Sequence, residues 1–111
     1  MTEDHTLVGP QSVLWDVGGA LVEWDLYAAE RTVFLQAIRE RSVPTNGREL
    51  LLHEMAYAAF RLGMCALFAC HEPPDSAERR RLEAAAGFYS DRLRARIADL
   101  PRRQAQRALP E

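Results

Sequence analysis

The chain has 111 residues, of which 48% are hydrophobic and 27% charged, and its formal net charge is −2. This length suits one small domain, and the composition is that of a globular protein, which argues against a wholly disordered chain. All 14 basic residues are Arg. Chemistry that requires Lys, such as a Schiff base or a P-loop phosphate clamp, is therefore excluded.

Charge is distributed unevenly along the sequence. Residues 1–75 contain 5 Arg and 11 acidic residues, whereas residues 76–111 contain 9 Arg and 5 acidic residues. A basic C-terminal third could contact nucleic acid or an acidic surface. No aromatic-interleaved basic motif accompanies it, so the pattern favours a solvated helix face and a charged tail. Nucleic acid is therefore not an expected partner.

The first elements in chain order are a leader and a strand. Residues 1–11 form a polar leader, and residues 12–25, SVLWDVGGALVEWD, begin with an apolar run that ends at Asp16. An apolar run closed by two glycines is typical of a buried strand and a tight loop. We predict one strand, Ser12 to Val17, followed by this loop and a short flap. Asp16 then lies at the end of the strand, where open α/β sheets bind ligands.

Three helices and a tail complete the prediction. Residues 26–100 show helical spacing, with a first helix from about Leu26 to Arg41. The second helix is apolar over a wide arc and is expected at the centre of a bundle. The third begins at a cap, Asp75 or Ser76, and residues 101–111 form a mobile tail. The predicted fold class is mainly α, one N-terminal strand followed by three helices.

Leu50 to Cys70 is the most apolar segment. It contains His53, Glu54 and Arg61, which favours a buried helix over a membrane span. The first twelve residues are polar and give no secretory signal, so we expect a cytoplasmic protein with no membrane partner.

The two cysteines lie in MCALFACH, a spacing that differs from Cys-x-x-Cys. With His71 they could form part of a zinc site, but no fourth ligand is evident. We expect Cys65 and Cys70 to be buried thiols in a reducing compartment.

The stretch VLWDVGGALVEWD resembles motif I of the haloacid dehalogenase-like (HAD) hydrolases, and the helices that follow resemble the helical cap of that superfamily. The resemblance implies a truncated α/β HAD-like fold. It also implies hydrolysis of a small phosphorylated molecule through an aspartyl phosphate, with Asp16 as nucleophile. Asp16 and the carbonyl of Gly18 would bind Mg²⁺. Gly18 stands where the family has its general acid, and no later strand, Lys or acidic pair completes the site.

Two other functions stay open beside an incomplete or weakly active hydrolase. The chain could be a non-catalytic helical interaction module, which dimerises or binds a partner chain through the unpaired strand or an apolar helix face. Binding of nucleic acid through the Arg-rich third is the other alternative.

Three further side chains have a structural and a functional interpretation. Trp15 and Trp24 could bracket a substrate, but packing on the strand face is favoured. His53 is expected to be a packed or hydrogen-bonded histidine and not a catalytic base.

Overall fold

In this computed structural model, residues 2–26, 28–41 and 47–108 are described, and all four of their regular elements are α-helices. These are α1 (Thr2–Trp24), α2 (Ala28–Glu40), α3 (Gly47–Cys70) and α4 (Ala77–Ala108). No strand occurs within the described ranges. The predicted mainly α class and its three helices are confirmed, whereas the N-terminal strand and the truncated α/β fold are wrong.

Residues 12–17, assigned to the strand, lie inside α1, together with the loop and most of the flap that were placed in residues 12–25. The same helix takes in residues 2–11, which were assigned to the leader. A lone strand would leave its backbone hydrogen bonds without partners, but a helix satisfies them within itself. Leu14, Val17 and Leu21 are spaced by three and four, which places them on one helix face, and all three are buried.

The chain divides into two compact units, Met1–Glu54 and Met55–Glu111. This division falls inside α3. In the first unit a cluster of buried side chains forms the core, and α2 packs partly buried side chains against it. The buried members are Leu14, Val17, Leu21 and Leu50, and those from α2 are Phe34, Leu35 and Ile38.

Asp25 ends α1 in the left-handed backbone region, with a φ of 55°. Its N–H donates to the carbonyl of Leu21 at 3.1 Å, which closes the last turn of the helix. Asp tolerates this conformation better than most residues because its short polar side chain bonds locally. The turn therefore depends on the residue type at position 25.

In the second unit, α3 and α4 pack against each other along one row of buried side chains from each helix, which we call the α4 seam. Buried residues recur at seven-residue intervals in both helices, Ala58 and Cys65 in α3, and Leu82, Tyr89 and Arg96 in α4. That repeat is typical of two helices packed side by side. Arg61 Nε donates to the Tyr89 hydroxyl at 3.2 Å, and its guanidinium lies 5.2 Å from the Tyr89 ring centre.

Both ends of α4 bear on a prediction. The Ser76 hydroxyl accepts a hydrogen bond from the N–H of Arg79 at 3.0 Å, so Ser76 is the cap that the sequence predicts. The helix then continues through Pro101 to Ala108. A proline inside a helix loses its N–H bond and crowds the carbonyl four residues before it, which can kink a helix as well as end it, and α4 continues past Pro101. Residues 101–108 of the predicted tail are thus helical, and residues 109–111 lie outside the described residues.

Candidate functional site

The structure does not bring the predicted site residues Asp16 and Gly18 together. Asp16 is exposed on α1, whereas Gly18 is buried. Residues two apart on a helix point about 200° away from each other, which places them on nearly opposite sides. Within the described residues, no group of three or more His, Cys, Asp and Glu side chains could hold a metal. Among the described residues, Asp16 therefore belongs to no cluster of side chains that fits Mg²⁺.

Gly18 has a packing role at the contact between α1 and α3. A Cβ atom added to it would lie 3.1 Å from the backbone N of Glu54 and 3.2 Å from the backbone C of His53. These distances are shorter than ordinary van der Waals contact, so the two helix backbones approach closely because residue 18 has no side chain. The Gly-Gly pair that predicts a loop instead marks a helix contact.

Arg31 and Glu54 form a buried ion pair between α2 and α3. Two hydrogen bonds join them, from Nη1 to Oε1 at 3.1 Å and from Nη2 to Oε2 at 2.6 Å. The Glu54 side chain is 1% exposed and the Arg31 side chain 19%. A carboxylate removed from water in this way requires its cation, so the pair holds α2 onto α3. Sequence reasoning missed it because the two residues are 23 apart and belong to no motif.

The aromatic and histidine predictions have mixed outcomes. Trp24 is 64% exposed and meets the Phe34 ring edge to face, with ring centres 6.0 Å apart. Trp15 is half-buried. His53 Nδ1 lies 2.8 Å from the Glu49 carbonyl of its own helix and donates to it, which confirms a hydrogen-bonded histidine. Packing on a strand face is wrong because the strand is absent.

The two cysteines differ in exposure, and one surface pocket lies on α2. Cys65 is buried, as expected, but Cys70 is exposed, and both are free thiols. A surface pocket of about 360 Å³ follows α2, where Thr32, Val33, Gln36, Ala37 and Glu40 line it. Glu40 is its one charged residue, and the lining includes neither of the predicted site residues.

The arginines at the start of α4 are engaged close to their own positions. Arg79 pairs with Glu83 at 3.1 Å, Arg81 pairs with Glu78, and Arg80 donates to the carbonyl of Asp75 at 2.8 Å. These contacts agree with a solvated helix face, and the expectation that nucleic acid is not a partner stays a prediction.

The side of α3 that faces away from the α4 seam is apolar and open to solvent. Between residues 55 and 70, seven residues lie within about 60° of the direction of Gly63 around the helix axis. We call this set the α3 outer face: Ala56, Ala59, Phe60, Gly63, Ala66, Leu67 and Cys70. All seven are exposed and none is charged. Phe60 and Leu67 are each 53% exposed, although large apolar side chains are normally covered when they cluster.

By length and composition, α3 could also cross a membrane. Only 28% of its most apolar stretch is buried. The prediction that this helix occupies the centre of a bundle is therefore wrong. The sequence correctly indicates apolar residues around most of its circumference, but the described helices cover only part of them. The α3 outer face is the strongest functional candidate in the second unit.

No family model, no curated protein and no solved structure matches the chain. The resemblance to the HAD hydrolases is wrong, since motif I needs an apolar strand and residues 12–17 are helical. The helices that follow are not shown to be a HAD-type cap. Catalysis by Asp16 with Mg²⁺ on a phosphorylated molecule rested on that resemblance and no longer has this support.

Proposed function

We propose that the chain is a non-catalytic helical interaction module that forms a homodimer through the α3 outer face. The observation that carries this proposal is a continuous uncharged surface on α3, with Phe60 and Leu67 each 53% exposed. The route that the sequence also suggested, pairing of an exposed strand edge, is closed because the described residues form no strand.

Burial of this face supplies the driving force for association. Covering the exposed half of a Phe or Leu side chain is favourable by about 1 to 2 kcal/mol. A dimer related by a two-fold axis covers Phe60 and Leu67 in both copies, so four large side chains contribute. The five smaller residues of the face let a second helix approach closely, which improves its van der Waals contact.

A protein partner fits α3 better than a lipid bilayer does. Arg61 lies near the middle of the helix, and its guanidinium binds the Tyr89 hydroxyl of α4. Placing an Arg at the bilayer centre costs about 2.5 to 3.5 kcal/mol even on scales that give low values. Glu54, also on α3, is held by Arg31 of α2, so a span would have to break this pair or bury α2 as well. We accordingly propose an aqueous, cytoplasmic location.

The experiment is sedimentation velocity of the full chain over about a hundredfold range of concentration, because self-association depends on mass action. The disrupting variant is Leu67→Glu, which places a charge in the face. The matched control is Ile97→Glu on α4, where a branched aliphatic residue that is 50% exposed receives the same charge. We expect wild type and Ile97→Glu to shift toward a dimer with concentration, and Leu67→Glu to stay monomeric.

Three results would contradict the proposal. The first is a wild-type chain that stays monomeric throughout, and the second is an Ile97→Glu variant as disrupted as Leu67→Glu. The third is transfer of the wild-type chain into phosphatidylcholine vesicles in place of a soluble dimer. Mg²⁺-dependent release of phosphate that Asp16→Asn abolishes would contradict the non-catalytic part.

A further inference from the structure

We draw no further inference here: the strongest candidate, the apolar surface patch that we call the α3 outer face, belongs to the site already described, and nothing in the described part of the structure shows how a second copy would lie on it.

Discussion

The two compact units differ in the size of the apolar side chains that they bury completely, although the first unit also leaves Trp24 64% and Val33 69% exposed. In Met1–Glu54, side chains from three helices surround the core, and Leu21 and Val22 are 0% exposed. In Met55–Glu111, two helices share one seam, and Phe60 and Leu67 are each 53% exposed on the far side of α3. A helix that is apolar around its circumference needs neighbours on more than one side. The comparison teaches that three helices can bury large aliphatic side chains completely, whereas the described part of the two-helix seam completely buries the small Ala58.

The buried ion pair gives the largest expected difference between the units. Arg31→Ala leaves the Glu54 carboxylate buried without its cation, and we expect the free energy of unfolding to fall by about 3 to 4 kcal/mol. In the second unit, Glu83→Ala removes the partner of Arg79 from a site where Glu83 is 57% exposed, with an expected loss below about 0.5 kcal/mol. Urea denaturation measures both.

Similar losses of stability in Arg31→Ala and Glu83→Ala would mean that the exposed ion pair of the second unit contributes as much as the buried pair of the first, which would contradict the comparison. The double variant Arg31→Leu with Glu54→Leu serves as the control. It removes both charges at once and should recover much of the stability that Arg31→Ala loses.

Truncation of apolar side chains should show the next largest difference. Leu21→Ala creates a cavity in the core of the first unit, and we expect a loss of about 3 kcal/mol. Ile97→Ala, at a residue 50% exposed on α4, should cost below about 1 kcal/mol because its side chain is only half removed from water. Thermal and urea unfolding at low protein concentration test this pair. Equal losses would mean that the second unit packs as tightly as the first.

Glycine substitutions sharpen the comparison because the two sites differ in the space around them. Gly87→Ala on α4 meets open space, so it should stabilise the chain by up to about 1 kcal/mol through helix propensity. Gly18→Ala brings a Cβ to 3.1 Å from the α3 backbone, and we expect it to be about 1 to 2 kcal/mol less stable than Gly87→Ala. Chemical denaturation of the two variants side by side tests this order, which equal stabilisation would contradict.

The smallest expected effect is the pH dependence of an exposed pair in the second unit. The hydrogen bond from Arg81 lowers the pKa of the Glu78 carboxyl. Because the folded pKa lies below the unfolded one, the stabilisation is present above the unfolded pKa and is lost as the pH falls through the folded pKa. Glu78→Gln should be slightly less stable than wild type at neutral pH, and the difference should shrink in acid. Thermal unfolding of both proteins at neutral and at acidic pH checks this prediction. A stability difference that grows in acid would contradict it.

The sequence predicts the last three helices of this fold well. Periodic apolar positions place α2, α3 and α4, and residue type limits the cap of α4 to Asp75 or Ser76, of which the helix uses Ser76. The error at α1 arises because Val13, Leu14 and Trp15 form a short apolar run that suits either a strand or a helix. The spacing of Leu14, Val17 and Leu21 already favours a helix, but the two glycines outweigh it in a reading based on turn residues.

Tertiary features are much harder to obtain from the sequence. The contact at Gly18 and the pair of Arg31 and Glu54 depend on which helices become neighbours, and no local pattern specifies this. The wide apolar arc of α3 is visible in the sequence, whereas the part left exposed depends on how many helices are available to cover it. At α4, Arg96 is 7% exposed and Ile97 is 50% exposed, so residue type alone does not say which of two neighbouring side chains the seam covers.

The left-handed turn at Asp25 has a genetic consequence. Three residue types tolerate a φ near 55° most readily, Asp, Asn and Gly. In the standard genetic code, an Asp codon becomes an Asn or a Gly codon by a single base change. Position 25 can therefore drift among these three residues without passing through a form that strains the end of α1. A change to a β-branched residue such as Val, also one base away, should be selected against.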